Sequence, residues 1–109
     1  MPVSGGLGDL GRFAEPSLLI LISISDGPKH GYAIMGDVEA LSGHSLGPGT
    51  LYAAVARLEG RSLIEALPAD ARRRPYRITG DGVVALNAQL DGLAAIVQTG
   101  RRRLRPDTP

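Results

Sequence analysis

The chain has 109 residues, 43% of them hydrophobic, which suffices for one folded domain with a single core. It has no cysteine and only two separated histidines, which excludes a disulfide framework and thiolate metal sites and predicts neither a metal nor a cofactor. The net charge of +1 by itself argues weakly against a nucleic-acid partner. The longest apolar run, residues 18–22, is far below the roughly 20 residues that span a bilayer, and no signal peptide is evident, so we expect a cytoplasmic protein without membrane contact.

Two helices are predicted in the first half of the chain. Residues 1–12 are rich in glycine and lack periodicity, which predicts a flexible arm. Pro16 then begins a helix that is apolar around most of its circumference, which is typical of a central, buried helix, and it ends near residues 26–28. In the second helix Ile34, Val38 and Leu41 recur at helical spacing, with Gly43 as the cap after its end.

The third predicted helix begins with Gly47-Pro48-Gly49-Thr50-Leu51-Tyr52. Proline suits a first helical position, and the flanking glycines leave the backbone N–H groups bare, an arrangement that suits a phosphate. A plain Gly-Pro-Gly turn remains the alternative. The helix buries one apolar stripe, and its opposite face is small and polar, which suits approach to a groove, although alanines are also ordinary helix formers. The stripe is Leu51, Val55 and Leu58, and the opposite face is Thr50, Tyr52, Ala53, Ala56 and Arg57.

A β-hairpin is predicted next. Residues 63–67 form an apolar strand, residues 68–74 a loop, and residues 75–78 the partner strand, with Arg72, Arg73 and Arg74 at the tip. Such an arginine run, and the second one at residues 101–105, is also compatible with a merely solvated surface.

The last predicted helix begins after a Thr79 cap and carries a heptad pattern. Its seam consists of Val83, Leu86, Leu90, Leu93, Val97, Gly100 and Leu104. About 26 residues give a helix of roughly 39 Å, longer than a domain of this size covers by itself. We therefore expect a homodimer through this helix; the alternative is a helix that folds back wholly onto its own core.

The order helix, helix, helix, hairpin, helix describes a winged helix-turn-helix module, a mainly α fold with a small β-hairpin, followed by a dimerisation helix. The predicted divisions are residues 1–12 (arm), 13–79 (winged helix-turn-helix), 80–104 (dimerisation helix) and 105–109 (tail).

Within residues 16–82 the chain also resembles PadR-type transcriptional regulators. The matching motifs are His30-Gly31-Tyr32, Gly47 to Tyr52, Arg57-Leu58-Glu59, Leu63-Ile64-Glu65 and Arg73 to Thr79. Two positions depart from the family pattern: Pro75 stands where the wing usually has an aromatic residue, and Ser62 where a glycine is common.

The resemblance implies a bacterial, dimeric, DNA-binding protein that is commonly a repressor, with the third helix in the major groove. The residues expected at double-stranded DNA are Lys29, His30, Tyr32, Pro48, Gly49, Thr50, Tyr52, Ala53, Arg57, Arg72, Arg73 and Arg74. Arginine on the third helix suits guanine or phosphate, and the wing arginines could reach an adjacent minor groove. Two units would read half-sites about 34 Å apart in a pseudo-palindrome. His30 as a helix cap and Tyr32 as a core aromatic remain alternatives, and for Tyr76 the core is favoured.

The residue types that the chain lacks limit both the effector that it could bind and the other functions that it could have. It has no tryptophan, so a large aromatic drug pocket is not expected, and a small hydrophobic effector would have to bind at the dimer interface. That interface would include Phe13, Leu18, Leu90, Leu93 and Val97. The low net charge and the alanines of the third helix leave open a protein-interaction or assembly module without specific DNA binding. No enzyme is expected, since there is no nucleophile beside a histidine, no GxxxxGK[ST] loop and no carboxylate cluster.

Overall fold

The computed structural model describes residues 15–105, which form four helices and three short strands. The helices are α1 (Pro16–Ile24), α2 (Gly31–Ser42), α3 (Pro48–Gly60) and α4 (Gly80–Leu104). The strands are β1 (Lys29–His30), β2 (Ile64–Ala66) and β3 (Pro75–Ile78). The predicted arm, Phe13 and residues 106–109 lie outside the described residues. Within the described part, no helix is long and apolar enough to cross a membrane.

The core lies where α1, α2 and α3 meet. Helix α1 is at its centre, as predicted, with Ile20 and Ile24 almost fully buried. The predicted stripe of α3 is confirmed and includes Ala54 as well. On α2, Ile34 and Val38 are buried, whereas Leu41, in the last turn of the helix, is about half exposed. The remaining buried apolar residues are Leu18, Leu21, Ile34, Val38, Ile64, Tyr76 and Leu86.

Polar caps fix the ends of the helices. The His30 Nδ1 atom accepts a hydrogen bond from the Ala33 N–H at 3.3 Å, which confirms His30 as the N-cap of α2. Gly43 ends the same helix with a φ of +76°, a left-handed conformation that suits glycine. The Thr79 hydroxyl oxygen accepts from the Gly82 N–H at 3.0 Å, which confirms the predicted cap of α4.

The predicted hairpin is confirmed, but it is part of a three-stranded antiparallel sheet in the order β1-β3-β2. Strand β3 pairs with β2 through Ile64 opposite Ile78, and with β1 through His30 opposite Pro75. Sequence analysis missed β1 because a two-residue strand shows no alternating pattern. The first wing strand is also shorter than the predicted 63–67. The sheet therefore ties the start of α2 directly to the wing.

Helix α4 packs against α1 and β3 with its first half and extends away from them with its second half, so that the molecule measures 61 × 30 × 20 Å. Along the predicted seam, Leu86 is buried and Leu93 is partly buried against the core, whereas Val83, Leu90, Val97 and Leu104 are exposed. Leu18 and Leu86, which sequence analysis assigned to dimerisation, are only 6% and 7% exposed within one protomer. Their burial is explained by the core of the protomer and requires no second chain.

Candidate nucleic-acid interface

The N-terminus of α3 is bare, as its sequence predicts. Gly47 is the N-cap residue and Pro48 lies in the first turn, and Gly47 has no side chain with which to cap the helix. The first turn has no acidic residue, and Thr50 is exposed. A Cβ atom added to Gly47 or Gly49 would meet no atom of residues 15–105 within 4 Å, so both positions are open on this side of the described structure. The positive end of the helix dipole and the free N–H groups are accessible to an anion there.

One face of α3 is exposed along its length. Tyr52, Ala53, Ala56 and Arg57 all lie on it, on the side opposite the buried stripe. Arg57 has no ion pair with any residue of the described part, so its guanidinium is available to an outside partner. The small alanines between Tyr52 and Arg57 let a partner approach the helix backbone closely.

Tyr52 also contacts α2, which sequence analysis did not predict. Its side chain is 49% exposed, and its hydroxyl end lies against Gly31 at the start of α2. A Cβ atom on Gly31 would overlap the Tyr52 hydroxyl oxygen and lie 3.0 Å from Cζ. The absence of a side chain at residue 31 therefore creates the space that holds the tyrosine ring between α2 and α3.

The structure decides between core and surface for Tyr32 and Tyr76, the two tyrosines whose positions the sequence left open. Tyr32 is 79% exposed, so the core alternative for Tyr32 was wrong. Tyr76 is buried, as favoured, and this burial raises the pKa of its phenol, with smaller contributions from the Glu59 carboxylate and from Tyr52. Tyr76 is therefore a neutral core residue, and Tyr32 is a surface residue beside the cap of α2.

The wing tip is a tight turn that presents three arginines. The backbones of Asp70 and Arg73 exchange two hydrogen bonds, of 2.8 and 2.9 Å, around Ala71, whose φ is +56°. Arg72, Arg73 and Arg74 are exposed, and none has an ion pair with another described residue. The Arg73 Nη1 atom lies 3.4 Å from the His30 Nε2 atom, so the wing tip reaches the start of α2.

Residues 30 and 31 therefore connect the start of α2, the exposed face of α3 and the wing tip into one surface. His30 lies beside the wing arginine, and Gly31 lies beneath the α3 tyrosine. We call this surface the arginine face. It comprises His30, Tyr32, the exposed residues of α3 from Pro48 to Arg57, and Arg72 to Arg74.

A family model described as "Transcriptional regulator PadR-like family" matches residues 20–88, which is more than half of the chain. The chain belongs to the PadR-like family. Members of this family are transcriptional regulators, and the predicted winged-helix fold is confirmed.

Solved structures share the PadR-like fold. A PadR family transcription regulator from Clostridium difficile R20291 superposes with a TM-score of 0.74 at 24% identity, covering 83% of this chain and 98% of that one. A PadR-like regulator from Bacillus cereus superposes with a TM-score of 0.73 at 21% identity, covering 98% of this chain and all of that one. At these identities the comparison establishes the fold.

A relative is closer in sequence but much longer. An uncharacterised 37.1 kDa protein in transposon TN4556 of Streptomyces fradiae is 41% identical over 85 residues, or 78% of this chain. The PadR-like chain spans only 25% of that relative.

Lys29 differs from the other residues expected to contact DNA, because acidic groups of the same protomer balance its charge. Its ammonium donates to the Asp26 carboxylate at 2.6 Å and to the Ser23 carbonyl oxygen, and lies 3.9 Å from an Asp37 oxygen. These contacts hold the pKa of Asp26 below its ordinary value, mainly through the hydrogen bond from Lys29. The lysine is thus neutralised within the protomer and braces the connection between α1 and α2. Sequence analysis could not anticipate this, because a basic residue in a loop gives no signal of its partners.

Proposed function

We propose that this PadR-like protein is a sequence-specific repressor that binds a pseudo-palindromic operator as a homodimer. The observation that supports it best is the arginine face, where the bare α3 N-terminus, the start of α2 and the wing tip form one continuous surface without acidic partners for Arg57 or the wing arginines among residues 15–105. Such a surface fits a polyanion, and its exposed helix has the dimensions that the major groove admits.

In this proposal α3 lies in the major groove, because Ala53 and Ala56 keep its exposed face flat. Arg57 donates a bidentate pair of hydrogen bonds to a guanine edge or binds a phosphate. Thr50 and the free N–H groups at the α3 N-terminus contact the backbone, and the wing arginines reach the neighbouring minor groove or its phosphates.

The second subunit binds through α4. The exposed apolar residues of its outer half form a surface that water does not favour. They are Leu90, Ile96, Val97 and Leu104. Pairing two copies through this surface gives two arginine faces, which would read half-sites about 34 Å apart. A small hydrophobic effector would bind between the subunits beside Leu90, Leu93 and Val97, where it could change the separation of the two α3 helices.

The deciding experiment measures binding to the DNA upstream of the gene and to a scrambled duplex of equal length and composition. We expect a footprint with two-fold symmetry on the upstream DNA and a log affinity that falls linearly with log salt. Arg57→Ala should weaken specific binding by about 1–3 kcal/mol, whereas Arg105→Ala, which removes an equal charge at the far end of α4, should have little effect. Equal affinity for both duplexes at moderate salt would refute sequence-specific binding.

The flat, alanine-bearing face of α3 also suits a protein partner, which favours protein binding as a second candidate function. In that function the winged helix is an assembly surface. Recovery of a defined protein partner that is lost with Tyr52→Ala, together with the absence of any DNA footprint, would favour it.

A further inference from the structure

Two N–H donors from distant parts of the chain meet at the junction of the wing and α2. The Arg73 Nη1 atom lies 3.4 Å from the Nε2 atom of His30, although the two residues are 43 positions apart. The pairing of β1 with β3 brings them together, since His30 stands opposite Pro75 in the sheet. Both side chains are accessible to solvent: Arg73 is exposed and His30 is half-buried.

The cap of α2 decides which nitrogen of His30 carries the proton. A neutral imidazole has one acceptor nitrogen and one donor nitrogen. Nδ1 accepts from the Ala33 N–H, so Nε2 carries the proton and donates. A guanidinium can only donate, so Arg73 cannot form a hydrogen bond with this ring while the cap is in place. The two groups therefore face each other as donors with no acceptor between them.

Nothing else in the described part of the chain supplies that acceptor. Arg73 has no ion pair there, and its backbone is fixed by the two hydrogen bonds to Asp70. The nearest basic residue along the chain from His30 is Lys29, and Asp26 already neutralises it. The junction thus retains one uncompensated positive charge beside a neutral donor, which fits a singly charged oxyanion with two accessible oxygens.

We propose that His30 and Arg73 bind one phosphodiester group of the DNA backbone together. This inference rests on the proposed function and adds a defined subsite to it: Nε2–H donates to one phosphate oxygen and the guanidinium to the same or the second oxygen. Such a contact carries no base information, but it fixes the register of α2 and the wing on the duplex. It also gives His30 a second role beyond capping, and gives Arg73 a role that Arg72 does not share.

The test uses variants that separate the cap from the phosphate contact. His30→Asn keeps an oxygen that can accept from the Ala33 N–H, because asparagine is a preferred N-cap residue, but it has no donor at the position of Nε2. His30→Ser is a second cap-retaining variant should the asparagine impair folding. Arg73→Ala removes the other donor, and Arg72→Ala is the matched control at the same tip. Affinities of the full chain for the footprinted upstream duplex are measured at several salt concentrations, with the thermal unfolding of each variant.

We expect His30→Asn to weaken binding roughly three- to tenfold and Arg73→Ala about tenfold or more, in line with neutral and charged hydrogen bonds. The double variant should lose less affinity than the product of the two single losses, since both groups hold one phosphate. The salt slope should fall by about 0.9 per subunit with Arg73→Ala and should not change with His30→Asn, because the imidazole is neutral. His30→Asn combined with Arg72→Ala should show multiplied effects.

Duplexes that carry a single uncharged methylphosphonate locate the site. At one position per half-site, wild type and Arg72→Ala should lose affinity, Arg73→Ala should lose much less, and His30→Asn should lose an intermediate amount because Arg73 still contacts the phosphate. If the wild type binds its duplex but the losses of His30→Asn and Arg73→Ala simply multiply, the shared phosphate site is wrong and the proposed function still stands. A wild type without preference for this DNA would overturn the proposed function and this site with it.

Discussion

Gly82 controls how α4 joins the wing, and replacing it with alanine should be costly. A Cβ atom at this position would overlap the Leu63 carbonyl oxygen and lie 2.7 Å from the Ile78 Cγ1 atom. The carbonyl cannot retreat freely, because it accepts from the Thr79 N–H at 3.0 Å. Overpacking of this kind costs about 1–3 kcal/mol, partly offset by up to about 1 kcal/mol from the better helix propensity of alanine. We therefore expect Gly82→Ala to lower the free energy of unfolding by about 1–2 kcal/mol.

The matched control is Gly92→Ala in the same helix. Gly92 is exposed in the middle of α4, and an added Cβ would meet no other described residue within 4 Å, so its replacement should stabilise the helix by about 0.8–1 kcal/mol. Urea unfolding at one fixed protein concentration measures both variants, and that concentration must be held because self-association shifts apparent stability. The two midpoints should move in opposite directions. If Gly82→Ala proved as stable as Gly92→Ala, the close packing of α4 on the β2 connection would be wrong.

Three further changes test other parts of the molecule. Gly31→Ala should displace Tyr52, the flexible partner in that contact, so DNA affinity should fall about as much as in Tyr52→Ala while unfolding changes by less than about 1 kcal/mol; unchanged affinity would exclude a DNA role for the tyrosine position. Ser62→Gly should stabilise the fold by about 0.5–1 kcal/mol in thermal unfolding, because residue 62 has a φ of +59° that glycine adopts more readily; a loss of stability would contradict this. Val97→Asp should weaken self-association at least about tenfold in analytical ultracentrifugation, whereas Gln98→Asp, off the apolar stripe, should not; equal effects would argue against the stripe as the interface.

The helices were predictable because their signals are local. The apolar spacing of Leu51, Val55 and Leu58 defines the buried side of α3, and Pro48 and Thr79 mark helix starts through their own chemistry. Contacts between segments were not predictable in the same way. The position of Tyr52 depends on Gly31, which is distant in sequence, and the ion pairs of Lys29 depend on how α1 and α2 pack.

The heptad pattern of α4 correctly predicted an apolar stripe, but it did not predict that part of this stripe packs against the chain's own core. A repeat of this kind reports which side of a helix avoids water, and it does not distinguish the chain's own core from a second subunit. Leu86 and Leu93 pack against the core of the protomer, and Val97 and Leu104 extend past it. In the proposed dimer, Leu86 and Leu93 face the chain's own core, and the exposed residues of the same stripe face the second subunit.

The pairing of β1 with β3 also has a consequence for how the chain folds. Lys29 and Tyr76 are partners across the sheet, so this contact closes a loop of more than 40 residues that contains α2, α3 and β2. Such long-range closures are slow to form compared with helices. During synthesis, the start of α2 cannot be fixed against the wing until β3 has left the ribosome. A fragment that ends before residue 75 would therefore retain helix-forming segments but lack the strand that fixes His30 beside Arg73.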